Sequence, residues 1–131
     1  MAGRAGADDM LRVLVIDDDP LLRKTLDAML KRIGYDCVLT ASTIEGIAAA
    51  EASGFDAALI DMRMPGLDGL EAIKAIAHMV PPIPIIGMSG GSTEDIDYAV
   101  LATHVGARRF LPKPFSRAQL VAAIENVVQG G

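Results

Sequence analysis

Apolar residues along the chain fall into two kinds of run that alternate. Short blocks rich in β-branched side chains, such as Val13-Leu14-Val15-Ile16, have the length and composition of buried strands. Between them, apolar positions recur every three or four residues, the period of a helix with one buried face. Leu22, Leu26, Met29, Leu30 and Ile33 make the first such stripe. Asp19-Pro20 opens it, and Gly34, able to take positive φ, closes it. Cys37–Thr40, Ala57–Ile60, Ile83–Met88 and Arg109–Leu111 read as further strands. A second helix is expected from the capping-box spacing of Ser42-Thr43-Ile44-Glu45 to Gly54. A third covers Leu70–Met79, between a Pro65-Gly66 turn and Pro81-Pro82. The fourth spans Glu94–Val105 with Gly106 at its end, and Ser116 caps a last one in which Leu120, Val121, Ile124 and Val128 share a face.

A helix between each pair of strands demands crossovers, and right-handed crossovers give a parallel sheet covered on both faces. The fold class is therefore α/β: a doubly wound (βα)5 sandwich, for which the flavodoxin-like strand order 2-1-3-4-5 fits five strands of this size. No linker or repeat divides the chain. One domain is expected over residues 11–129, with a flexible N-terminal tail at 1–10 and a short tail at 130–131. Since Gln129-Gly130-Gly131 alone follows the last helical run, a stand-alone domain without an output module is expected.

Composition narrows this only slightly. Seventeen acidic against twelve basic residues leave a net charge of −5, which disfavours direct nucleic-acid binding. The single cysteine, Cys37, excludes an internal disulfide and reads as a buried, inert thiol. No apolar run approaches the ~20 residues of a membrane span, and the polar N-terminus has no secretory h-region, so a cytoplasmic protein is expected.

The strand ends carry the chemistry. In this fold ligands bind beyond the carboxyl ends of the strands. There the sequence puts Asp17-Asp18-Asp19 after the first strand, Asp61 after the third, Ser89 after the fourth and Lys113 after the fifth. Like-charged carboxylates ~4 Å apart at an effective dielectric near 20 repel by about 4 kcal/mol per pair. A hard divalent cation offsets this, and oxygen ligands suit Mg²⁺ or Mn²⁺. No Cys or His stands at these ends, which argues against zinc or copper.

Four stretches carry a family resemblance: Val-Leu-Val-Ile-Asp-Asp-Asp-Pro at 13–20, Ala-Leu-Ile-Asp-Met-Arg-Met-Pro-Gly-Leu-Asp-Gly at 58–69, Ile-Ile-Gly-Met-Ser-Gly-Gly at 85–91 and Phe-Leu-Pro-Lys-Pro-Phe at 110–115. Over Leu11 to about Gln129 the chain resembles the response-regulator receiver family of two-component signalling. The resemblance implies that Asp61 is the phosphoacceptor. Asp17 and Asp18 correspond to the acidic pair that holds Mg²⁺, Asp18 directly and Asp17 through water. Asp61 and the backbone carbonyl of Arg63 complete that metal set. Ser89 takes the place of the hydroxyl that follows the phosphoryl group, Lys113 that of its basic contact, and Phe110 that of the aromatic switch. Pro114 matches a cis peptide after the lysine, which would aim the ammonium at the site.

The implied partners are a sensor histidine kinase or histidine phosphotransfer protein and a downstream protein target. A homodimer through the fourth helix, fifth strand and fifth helix is also implied. Two other readings share the fold. One is a binding module that has lost phosphorylation; the other is a Mg²⁺-dependent phosphohydrolase, which commonly wants a carboxylate where this chain has Arg63. Elsewhere the readings are structural. Gly66, Asp68 and Gly69 are expected in turns or a helix cap, and His78 and His104 on a surface. Met29, Met79 and Met88 are expected in the core, Met62 and Met64 on a partner-facing rim, and Arg108-Arg109 in solvent.

Overall fold

The computed structural model describes residues 10–64, 68–90 and 93–130. Strands and helices alternate in the order β1 (Arg12–Ile16), α1 (Pro20–Ile33), β2 (Asp36–Thr40), α2 (Thr43–Ala52), β3 (Ala57–Asp61), α3 (Asp68–Ala77), β4 (Ile85–Ser89), α4 (Thr93–Val105), β5 (Arg109–Pro112) and α5 (Arg117–Gly130). All neighbours in the sheet are parallel and their order is β2-β1-β3-β4-β5, as expected.

Alternation along the strands divides the core into two layers. Leu14, Ile16, Ala58, Ile60 and Ile85 face α2, α3 and α4, where they meet Ala50, Ala72, Ile73, Ile76 and Ala102. Val13, Val15, Ala57, Leu59, Ile86 and Met88 face α1 and α5, where they meet Leu26, Leu30, Leu120, Ile124 and Val127.

The helix ends follow local chemistry. Asp19 Oδ1 accepts from the Leu21 N–H at 3.0 Å, and Gly34, at φ 103°, donates its N–H to Leu30 and Lys31 carbonyls. Ser42 Oγ accepts from the Glu45 N–H, while the Glu45 carboxylate accepts from Ala41. Ser116 and Gln119 satisfy one another's N–H groups in the same manner before α5.

Several boundaries differ from expectation. α2 stops at Ala52 with extended Ser53 as its cap, so Gly54 ends nothing. α3 begins and ends two residues early, and the Met79 N–H bonds back to Ile76 in a tightened last turn. A residue before proline avoids helical backbone, so Val80-Pro81 forces the chain out beforehand. β4 begins at Ile85 because Pro82 and Pro84, which lack N–H groups, flank Ile83; Ile83 is still buried. On α5 Leu120 and Ile124 are buried as expected and Val127 joins them, while Val128 is half-buried beside it and Val121 lies outside that cluster. The peptides before Pro81 and Pro114 are cis. The Pro65-Gly66 turn and residues 1–9 lie outside the described residues.

Candidate functional site

The carboxyl edge of the sheet gathers the expected groups. Asp17 follows β1 directly and is fully buried, Asp61 ends β3, Ser89 ends β4, and Lys113 follows β5. Asp61 and Ser89 are buried as well, whereas Asp18 is exposed. One carboxylate oxygen from each of Asp17, Asp18 and Asp61 lies within 4.8 Å of the others. Lys113 Nζ sits between two of them, 3.4 Å from Asp17 Oδ2 and 3.5 Å from Asp61 Oδ2. It donates a hydrogen bond to the first.

Main-chain groups hold these carboxylates in place. Asp17 Oδ1 accepts from the Asp19 N–H at 2.9 Å, and Asp61 Oδ1 accepts from the Arg63 N–H at 3.0 Å. The Lys113 N–H donates to the Ser89 carbonyl at 2.6 Å, which ties the lysine to the end of β4. Burial raises the Asp17 pKa above its ordinary value. The Asp19 N–H opposes that, the negative charge of Asp61 adds to it, and Lys113 offsets part. Lys113 thus brings one positive charge against three gathered carboxylates. An all-oxygen set with a charge deficit suits a hard divalent cation.

Arg63 stands in the loop two residues past Asp61. Phe110 is half-buried on β5 opposite Gly87, and packs against the layer that holds α4. Arg63 lies at the site, through its N–H on Asp61.

Three features escaped the sequence reading. Arg23 Nη1 donates to the Asp17 carbonyl at 2.8 Å, a second cation beside the acidic cluster. A basic residue near a helix N-terminus opposes the helix dipole, and that misfit was the available signal. Met62 and Met64 are buried in the core, not on a rim. For Met62 the reason is Gly87: a Cβ there would lie 2.7 Å from Met62 Sδ, so that methionine occupies volume that β4 leaves empty. Gly69 opens α3 against the Asp61 carbonyl, and a Cβ on it would stand 2.7 Å from Met62 Cα. It permits close approach and makes no turn. The side chain of Asp68 lies outside the described residues.

His78 and His104 are exposed, each with Nδ1 against the carbonyl four residues earlier. Arg108 and Arg109 are exposed too, but Arg109 Nε donates to Asn126 Oδ1 at 2.6 Å and so ties β5 to α5.

Comparison with known proteins agrees with this geometry. The family model for the response regulator receiver domain matches residues 13–125. The chain is 39% identical over 116 residues to the DNA-binding transcriptional regulator NtrC of Salmonella typhimurium, covering 88% of this chain and 24% of NtrC. It is 36% identical over 117 residues to the transcriptional regulatory protein FixJ of Bradyrhizobium diazoefficiens, covering 89% of this chain and 56% of FixJ. It thus spans well under two-thirds of either relative. Among solved structures, the receiver domain of sensor histidine kinase PA1611 from Pseudomonas aeruginosa PAO1 superposes with a TM-score of 0.81 at 29% identity. That match covers 93% of this chain and 99% of the other, whose active-site cleft coordinates a magnesium ion.

Proposed function

The chain belongs to the response regulator receiver domain family, and from that premise we propose that Asp61 accepts a phosphoryl group from a phosphohistidine protein with the help of Mg²⁺ or Mn²⁺. The observation that carries this reading is the convergence of three carboxylates and Lys113 at one sheet edge.

Asp17, Asp18 and Asp61, with the Arg63 carbonyl, would hold the cation. The cation supplies positive charge to the phosphoryl oxygens. A carboxylate oxygen of Asp61 attacks phosphorus, the P–N bond to the donor imidazole breaks, and the imidazole leaves. Nucleophile and phosphoryl group are both anionic, so the gain comes from positioning and charge neutralisation. Lys113, already near the Asp61 carboxylate, contacts the incoming phosphoryl oxygens, and the Ser89 hydroxyl donates to one of them. Hydrolysis of the acyl phosphate in the same site restores Asp61.

Movement of Ser89 toward the phosphoryl group, followed by the Phe110 ring, shifts the surface formed by α4, β5 and α5. Ile96, Val100 and Leu101 on α4 are exposed there, which suits recognition by a downstream protein or a second copy. The donor is a sensor histidine kinase or a histidine phosphotransfer protein. No helix among the described residues is long and apolar enough to cross a membrane, and we place the domain in the cytoplasm with its donor.

The test is incubation with acetyl phosphate and Mg²⁺, read by intact mass. The wild type gains one phosphoryl group, and Asp61→Asn, whose amide is no nucleophile, gains none. Full incorporation by that variant would move the acceptor elsewhere. Mg²⁺ at about 100 times its Kd stabilises the wild type by about 2.7 kcal/mol, and Asp18→Ala loses most of that response. A melting temperature indifferent to Mg²⁺ would remove the metal from this site.

A further inference from the structure

Arg63 connects the acceptor strand to the fourth helix. Its main-chain N–H donates to Asp61 Oδ1 at 3.0 Å. Its guanidinium points the other way, with Nη2 3.3 Å from Glu94 Oε1 and its central carbon 5.0 Å from the centre of the Tyr98 ring. Tyr98 is half-buried against the core layer that includes Met62 and Met64. The Glu94 side chain, in contrast, is 77% exposed.

We propose that Arg63 is a phosphoryl-binding residue held in reserve: before phosphorylation it clasps α4 through Glu94 and Tyr98, and the charge arriving at Asp61 draws it onto the phosphoryl oxygens. This rests on Asp61 as the acceptor. Transfer replaces one carboxylate charge with a group of about two negative charges. Lys113 already lies between Asp17 and Asp61, and Arg23 is bonded to the Asp17 carbonyl. Arg63 has its backbone on the acceptor itself, and a guanidinium fork matches phosphate oxygens two at a time. Its present clasp is weak enough to leave. The ion pair to exposed Glu94 biases an equilibrium by no more than about fivefold.

Departure of the guanidinium loosens the first turns of α4, a helix whose fully buried residue, among those described, is Ala102. Charge at Asp61 thereby reaches α4 by a route separate from Ser89 and Phe110. By linkage, whatever weakens the clasp must strengthen phosphoryl binding.

The experiment is NMR of the full chain with Mg²⁺ and increasing beryllofluoride, an analogue of the phosphoryl group. In the wild type, the nuclear Overhauser contacts between the Arg63 side chain and the Tyr98 ring should vanish on binding, and the Arg63 Nε–H should shift. Glu94→Gln should raise beryllofluoride affinity about twofold to fivefold, the worth of an exposed ion pair. The same substitution in an Arg63→Met background should leave affinity unchanged, because its effect must pass through Arg63. Retained Arg63–Tyr98 contacts in the bound wild type, or an undiminished Glu94→Gln effect without Arg63, overturns the clasp alone. A wild type that binds no beryllofluoride overturns the acceptor assignment and the clasp together.

Discussion

Helices α1 and α4 lie on opposite faces of one sheet, and they are fastened in different ways. α1 is capped by Asp19 at its start and by Gly34 at its end. It buries Leu26 and Leu30 completely, and it reaches the acidic cluster through Arg23. α4 presents alanines to the core. Ala102 is fully buried, Ala99 and Val105 partly so, while Ile96, Val100 and Leu101 stay more than half exposed. Burying a large aliphatic side chain stabilises by about 1.5–3 kcal/mol, so two buried leucines outweigh one alanine by several kcal/mol. The difference divides labour. On the proposed function, Asp17 and Asp18 keep their geometry beside the firmly held helix, and the helix that would answer a change of charge is the shallowly anchored one.

The widest gap should appear in stability. Leu26→Ala is expected to cost about 2–5 kcal/mol in urea unfolding, the range for a buried leucine that leaves a cavity. Leu101→Ala, which removes an exposed side chain, should change stability by no more than about 0.5 kcal/mol. Equal losses would mean that α4 is anchored as firmly as α1, and the division would fall.

Gly87 sharpens the picture on the α4 side. Its missing side chain is replaced by Met62 from the acceptor strand's end and by the Phe110 ring, whose Cδ1 would lie 3.1 Å from an added Cβ. Gly87→Ala should therefore overpack the site of the ring and cost about 1–2 kcal/mol, within the usual range for such insertions. Phe110 ring resonances should shift, while those of Leu26 and Leu30 across the sheet stay in place. Unchanged stability together with unchanged Phe110 shifts would show that the contact exerts no constraint.

The two regions also differ in how far the sequence discloses them. Around α1, local signals suffice: Asp19-Pro20, the stripe through Leu26 and Leu30, and Gly34 each act within one helical turn. Asp17, Asp61, Ser89 and Lys113 were readable because each ends or directly follows a strand of obvious pattern, whereas the strand order came from the fold that five such strands suit and not from any residue. Met62 and Met64 were not readable. Met62 fills a vacancy at Gly87, on another strand, and no spacing along the chain reports that. Gly69 reads as a turn residue until α3 is seen against the Asp61 carbonyl. Arg63 likewise resembles any loop arginine until Glu94 and Tyr98 are placed beside it. Roles set by the local chain are thus visible early, and roles set by a distant neighbour emerge only with the fold.

The smallest expected effect concerns Cys37, which was expected buried and is half-buried under α1. Its Sγ donates to Asp27 Oδ1 at 3.4 Å, and Asp27 also pairs with Lys31 at 3.2 Å. Burial, then the hydrogen bond and charge of Asp27, push the thiol from 9.0 up to about 11, with Lys31 offsetting a part. The thiolate is the reactive form, so its fraction at neutral pH should fall about a hundredfold below that of an ordinary thiol. Iodoacetamide should accordingly modify the native protein far more slowly than the urea-unfolded chain. The native rate should keep rising with pH through 10, beyond the point where an ordinary thiol levels off. Asp27→Asn removes the charge that opposes ionisation and should bring the pH midpoint of alkylation down. A native rate matching that of the unfolded chain at pH 7 would mean that the α1 layer opens as readily as a loosely anchored helix. In that case the contrast with α4 would lie in side-chain burial alone, and not in local stability.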